Sequence, residues 1–186
     1  MGKPRAISAL IVLCAACLWL VCSCAGGKKP DPAADPSIPW GFGEKEVEIS
    51  CQADKNLNQY DGKPHTVLLC VYQMSDPNIF NGLIKSKDGL QKLLQCSRFD
   101  PTVVGFRQVI VQPGETKQVQ LDRAEGAKWV GIAAGYYNLN SDMVTRLFQI
   151  PVVEVRKMLV FKKPVPGKLS VNLVLGPEKI DQAGSK

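Results

Sequence analysis

The sequence predicts a mainly β protein, a β-sandwich of about eight short strands with a short helical insertion between the second and third strands. Three observations predict it. Short runs rich in β-branched and aromatic residues recur between turn signals from Glu46 to Leu175. Several of these runs alternate apolar with polar residues, as a half-buried strand does. One stretch, Ser75 to Ser97, breaks the pattern with helical spacing and helix-start residues.

The elements follow in order. In "EVEIS", Val47 and Ile49 share a face with Cys51, and Glu46 and Glu48 take the other. "TVLLCVYQM", Thr66 to Met74, is too apolar for simple alternation and reads as a central strand. In the insertion, Ser75 or Asp76 is placed to cap a helix beginning at Pro77, with Ile79, Phe80, Leu83 and Ile84 on one face. Asp88 opens a second short helix carrying Leu90, Leu93 and Leu94. "VGFRQVIV", Val104 to Val111, ends at "QPGE", where Pro113 and Gly114 suit a type II turn, and "TKQVQL" is expected to return as a hairpin. "KWVGIAAGYY" is a strand with Gly131 and Gly135 as weak points or bulges. "TRLFQIPVV" and "VRKMLVF" are two further strands. "GKLSVNLVL" closes the domain, with Leu169, Val171, Leu173 and Leu175 alternating. The polar end, residues 177–186, reads as a flexible tail, and the sandwich domain as residues 44–176.

Ahead of this domain stands a secretory signal. Lys3 and Arg5 form its positive end, Ala6 to Val21 its apolar stretch, and small residues follow. The stretch is just long enough to span a bilayer, so hydropathy leaves two readings. "V-C-S-C", Val21 to Cys24, chooses between them: an aliphatic residue three before Cys24 and a small one just before it match the bacterial lipobox. Residues 1–23 are therefore expected to be removed, with Cys24 lipidated as the first residue of the mature chain. One acyl chain holds a protein only marginally, whereas three hold it firmly. Ala25, in place of an aspartate, leans towards the outer membrane. Residues 24–43 form a linker in which Pro30, Pro32, Pro36 and Pro39 suppress regular structure. Trp40 and Phe42 at its end are expected to dock on the domain.

The 186 residues suit one medium domain plus an appendage, and 45% hydrophobic content allows a real core. The net charge is +6, and Lys3 and Arg5 supply two of those charges within the signal. The remaining excess is scattered, without a zinc spacing or RNA-binding aromatic pair, so nucleic acid is not an expected partner. A mildly basic surface near an anionic membrane fits it better.

Catalytic chemistry finds little support. His65 is the only histidine. A Cys-His dyad would need Cys51 or Cys70 beside it, yet Cys51 shares the apolar phase of Val47 and Ile49. No metal spacing or phosphate loop is present, and Glu46 and Glu48 read as one solvated strand face. Neither a metal nor any cofactor other than the lipid is expected. Cys51, Cys70 and Cys96 are an odd set for an oxidising compartment. Either one pair is bonded or all three are buried and reduced. Strand phase turns Cys70 away from Val71, where it could meet Cys96 if the insertion folds back over the strand.

The loop "ADKNLNQYDGKPH" is the most informative surface. Asp54, Asn56 and Asn58 favour turns, and Leu57 and Tyr60 read as exposed apolar anchors ringed by polar groups, as binding hot spots are.

The order of these pieces resembles the TssJ family of type VI secretion outer-membrane lipoproteins. The resemblance rests on the lipobox, the Pro-rich spacer, "D-K-N-L-N…G-K-P…V-Y-Q-M" from Asp54 to Met74, the helical insertion, the "P-G-E" turn and "VGIAAGYYNLN". The chain departs from the family pattern at "MVTR", Met143 to Arg146, and at Cys70, where a basic residue often stands. The resemblance implies a transthyretin-like sandwich that binds the periplasmic domain of TssM, and through it the TssL/TssM membrane complex. It places the contact on the loop holding Asp54, Asn56, Leu57, Asn58 and Tyr60, with Asn138, Leu139 and Asn140 as a second segment. An unrelated periplasmic lipoprotein with a transthyretin-like sandwich that binds carbohydrate or another small ligand is the alternative.

Overall fold

The computed structural model describes residues 35–157 and 161–186, so the stretch read as a signal peptide and Cys24 lie outside the described residues. Ten strands and three short helices are present among them. In chain order they are β1 (Gly43–Ala53), β2 (Val67–Met74), α1 (Asn78–Leu83), α2 (Lys87–Leu93), β3 (Val103–Val111), β4 (Thr116–Arg123) and β5 (Trp129–Ala134). There follow α3 (Ser141–Val144), β6 (Thr145–Gln149), β7 (Val152–Lys157), β8 (Phe161–Pro166), β9 (Leu169–Leu175) and β10 (Ile180–Ser185). Two four-stranded sheets, ordered β10-β9-β1-β4 and β3-β2-β5-β6, form the sandwich, and β7 and β8 make a separate two-stranded arm. Only the β1–β9 pairing among these ladders is parallel.

Strand periodicity builds the core. Val47, Ile49 and Cys51 of β1 are buried, and so are Leu169, Val171, Leu173 and Leu175 of β9. Facing them are Val67, Leu69 and Val71 of β2 with Val130 and Ile132 of β5. The alternate residues of β2, Cys70, Tyr72 and Met74, are buried too, because the helical insertion covers the outer side of that sheet. This explains why the β2 sequence is apolar throughout.

The insertion lies between β2 and β3 and packs through Phe80 and Leu93. Ser86 caps α2, its hydroxyl accepting the Gly89 amide at 3.1 Å. The first helix starts one residue later than the sequence predicted: Pro77 is its N-cap, and Asp76 accepts the Asn78 amide from just outside. Ile79 is exposed rather than on the packed face. A disulfide joins Cys70 to Cys96, and Cys51 is free and buried. The phenol of Tyr72 donates to the Leu93 carbonyl beside that bridge.

Four expectations are corrected. The "QPGE" turn exists, with Gly114 at φ +73° and the Glu115 amide donating to the Gln112 carbonyl at 3.1 Å. It joins no hairpin, however, since β3 and β4 belong to different sheets. "TRLFQIPVV" is two strands broken at Ile150-Pro151, because Ile150 leaves the sheet to donate to the Lys128 carbonyl. "VRKMLVF" spans the end of β7, the start of β8 and residues outside the described set. The polar tail is β10, held along β9 with Ile180 buried at its head.

Gly131 marks no bulge but sits in register opposite Tyr72 and Leu147. A Cβ there would lie 2.8 Å from both Met74 and Phe80, so the missing side chain is what lets α1 approach the sheet.

Strand direction gives the sandwich two poles. β1 leaves the pole where the linker enters: Gly43 pairs with Arg123 at the end of β4, and the Gly126 amide donates to the Trp40 carbonyl. Trp40 packs against the core there, whereas Phe42 is exposed. Because β9 runs parallel to β1, Leu169 and the β7–β8 arm before it also lie at this linker pole. The β1–β2, β5–α3 and β9–β10 connections lie at the opposite pole.

Candidate functional site

Four connections meet at the loop pole; the β3–β4 turn is tied to the first by the Gly114 amide donating to the Asp54 carbonyl at 2.9 Å, and the other three build the site. In the first, residues 54–66, Asp54 opens with an Asx turn, its carboxylate accepting the Asn56 amide at 2.7 Å. Tyr60-Asp61-Gly62-Lys63 forms a tight tip. Asp61 and Gly62 have φ of +49° and +69°, and Tyr60 and Lys63 exchange backbone bonds of 2.9 and 3.0 Å. Two positive φ values at the centre are those of a type I′ turn, which Asp-Gly favours.

Asn58 is the hub. It is buried, at φ +48°, a backbone region asparagine tolerates. Its side-chain oxygen accepts the Tyr137 amide at 2.9 Å, and its side-chain nitrogen donates to the Thr66 carbonyl at 3.1 Å. The Gln59 amide donates to the Pro177 carbonyl at 2.7 Å, which brings in the β9–β10 connection. Tyr136 adds a bond from its hydroxyl to the Lys179 carbonyl at 2.9 Å, and its burial pushes the phenol well above its ordinary range.

The surface these bonds create is aromatic. Tyr60 and Tyr137 stack with ring centroids 4.3 Å apart, and His65 meets Tyr137 edge-on at 5.1 Å. Both tyrosines stay open to solvent, 57% and 56% exposed. A shallow groove of about 350 Å³ beside them is lined by Tyr60, Tyr137, Asn138, Gln59, Pro177 and Glu178.

The residues expected to bind a partner are scattered, with Asn58 buried as the hub. Tyr60 and Asn138 lie on the aromatic surface. Asp54 and Asn56 are exposed beside a separate groove with Lys55 and Asp181. Asn140 caps α3, its side-chain oxygen accepting the Asp142 amide at 3.2 Å, and Leu139 is half-buried against the core. Leu57 corrects the sequence reading: it is 0% exposed and belongs to the core. The loop folds inward at that point because Leu57 and His65 share a backbone bond of 2.9 Å. Tyr137 and His65 were not expected at this surface. The strand read in "KWVGIAAGYY" ends at Ala134, so Tyr137 lies in the loop beyond it, and the approach of Tyr137 and His65 to Tyr60 had no linear signal.

Neither cysteine weighed as a nucleophile is placed to act as one. Cys70 is bonded to Cys96. Burial pushes the Cys51 thiol up to about 11, which keeps it protonated at neutral pH. Among the described residues no group of three or more His, Cys, Asp or Glu is placed to hold a metal ion, and no helix is long and apolar enough to cross a membrane.

Fold and site together define a β-sandwich scaffold with a disulfide-tied helical insertion and an exposed aromatic loop surface at one pole. The chain belongs to the family described as "Type VI secretion lipoprotein, VasD, EvfM, TssJ, VC_A0113", whose model matches residues 45–172. Solved structures share the fold. The type VI secretion lipoprotein TssJ1 from Pseudomonas aeruginosa is 18% identical with a TM-score of 0.53, over 80% of this chain and 98% of that one. Lip from Serratia marcescens, a membrane-bound component of the type VI secretion system, is 17% identical with a TM-score of 0.55, over 75% and 96%. A chain of a type VI membrane complex is 16% identical with a TM-score of 0.51, over 72% and 94%. No curated protein matches the sequence significantly.

Proposed function

We propose that this type VI secretion lipoprotein is held in the outer membrane by a lipid on Cys24 and tethers the periplasmic domain of TssM through the loop pole. TssM in turn connects it to the TssL/TssM membrane complex. The observation that carries the reading is the stacked, half-exposed Tyr60–Tyr137 pair, at the pole opposite the entry of the linker. A lipoprotein with its anchor segment at one end and its binding loops at the other suits a tether. Exposed aromatics ringed by polar groups suit a protein partner. Tyr60, Tyr137 and Asn138 make the direct contact, and Asp54, Asn56, Leu139 and Asn140 border it. Leu57 and Asn58 act by positioning the loop.

Titration calorimetry of the TssM periplasmic domain into the mature chain tests this. Tyr60→Ala with Tyr137→Ala should weaken binding at least tenfold, roughly 1.4 kcal/mol, at an unchanged melting temperature. Unchanged affinity would move the interface off this pole.

The groove beside the tyrosines, with Asn138 and Glu178 in its wall, favours carbohydrate binding as a second reading. The two rings stack on each other and so cover one face of each. Saturable binding of a peptidoglycan-type oligosaccharide that Tyr60→Ala with Tyr137→Ala abolishes would count for it. Competition by TssM would place both ligands here.

A further inference from the structure

The β7–β8 arm belongs to neither sheet of the sandwich. Its pairing sets Val153 opposite Val165 and Val155 opposite Lys163, so these four share one side of the ribbon. Val153 and Val155 are 45% and 48% exposed, and among the described residues the arm pairs with no further strand. The other side carries Arg156 and Lys162, with Glu154 in a 2.7 Å ion pair to Lys162. In sequence the two strands hold Arg156, Lys157, Lys162 and Lys163 against the one acid Glu154. An apolar side on a ribbon of net positive charge suits a segment that rests on an anionic lipid surface.

A protein strand is the weaker occupant. Pro164 and Pro166 remove two N–H donors from β8, which blunts that edge against strand addition. Position favours lipid. The arm starts and ends at the linker pole: the Ile150 amide donates to the Lys128 carbonyl at 2.8 Å and the Gly167 amide to the Pro151 carbonyl at 2.7 Å. The described chain enters at the same pole through Trp40. From Cys24 to Asp35 the chain spans at most about 40 Å even when fully extended, which confines this pole near the membrane that holds the lipid.

We propose that the β7–β8 arm is a second membrane contact, laying Val153, Val155 and Lys163 on the anionic lipid surface that holds the Cys24 anchor, with Arg156 and Lys162 on the far side adding to the net positive charge of the ribbon. The contact limits rotation of the sandwich about its linker and points the loop pole away from the membrane. The proposal rests on the assignment of Cys24 as anchor.

The test uses the full lipidated chain in vesicles of phosphatidylethanolamine with or without phosphatidylglycerol. Val155→Cys carries an environment-sensitive dye, and Cys51 is buried and protonated, so the new thiol takes the label. The expected result is blue-shifted emission, quenched by a nitroxide lipid, only in the vesicles containing phosphatidylglycerol. The same dye at Tyr137→Cys should stay water-like. Arg156→Glu with Lys162→Glu and Lys163→Glu should shift the docked equilibrium at least about tenfold towards the free arm. Its melting curve should match that of the parent, as these residues are exposed. A lipidated chain whose dye at 155 stays water-like in both vesicles overturns the proposal alone. Equal quenching at 137 overturns it as non-specific adhesion. A blue shift in detergent that grows with protein concentration assigns the arm to a second copy, and one that appears only with TssM assigns it to that partner. A chain without palmitate overturns the anchor and this proposal together.

Discussion

The side-chain oxygen of Asn58 accepts the backbone amide of Tyr137 at 2.9 Å, across 79 residues of sequence. Through this bond a buried residue in one loop sets the height of an exposed aromatic in another.

Asn58→Ala should therefore act on both fold and surface. It leaves the Tyr137 amide and the Thr66 carbonyl without partners, and a buried unsatisfied group costs about 1–3 kcal/mol. Alanine also fits the φ of +48° poorly. The expected loss is about 2–3 kcal/mol in urea unfolding, with weaker TssM binding at temperatures where the variant is folded. Stability within about 0.5 kcal/mol of the parent, the size of an ordinary surface change, would remove Asn58 from this role.

Leu57 and Tyr60 should separate cleanly. Leu57→Ala removes a fully buried side chain and should cost about 2–5 kcal/mol, visible as a lower melting temperature. Tyr60→Ala removes an exposed ring and should leave the melt close to that of the parent. Equal melts for the two variants would contradict the burial of Leu57.

The bridge between Cys70 and Cys96 closes a loop with a sequence separation of 26. Loop-closure entropy for that length corresponds to about 3.5 kcal/mol. Cys70→Ala with Cys96→Ala should lower the unfolding free energy by roughly 2–4 kcal/mol and loosen the insertion first. Hydrogen exchange of α1 and α2 would show it. The mature lipidated chain, denatured without reductant, should react with one equivalent of thiol reagent, at Cys51.

Gly131→Ala tests the close approach of α1. Its Cβ would meet Met74 and Phe80 at 2.8 Å, so the helix must move or the side chains repack. The expected cost is about 1–3 kcal/mol, read from thermal unfolding.

An alkaline limb should come from Cys51. Its folded pKa is raised, by burial first, from 9.0 to about 11. The folded state thus keeps a proton that the unfolded chain releases. The contribution is fully present below pH 9, and stability falls as pH rises from there towards 11. The loss is on the order of 2 kcal/mol. Cys51→Ala should flatten this limb between pH 8.5 and about 10 in denaturant titrations. A limb of unchanged slope would assign it to other groups.

Much of this molecule was legible in the sequence because it depends on local pattern. Alternation in β1 and β9, the doubly apolar β2 and the left-handed Gly114 each follow from side chains within a few residues, whereas the second helix, read as opening at Asp88, is capped by Ser86. Family membership rested on the same kind of ordered local signal, and the match over residues 45–172 bears it out. Tertiary structure alone decided the rest. Whether two strands joined by a tight turn pair with each other depends on which sheet has a free edge, and "QPGE" sends β4 to β1. The polar end became β10 because β9 offered an unpaired edge and a core position for Ile180. Leu57 sank and Tyr137 rose because bonds from Asn58, Gln59 and His65 fold the three loops together. Such partners lie tens of residues apart, and no period in a linear sequence encodes the distance between them.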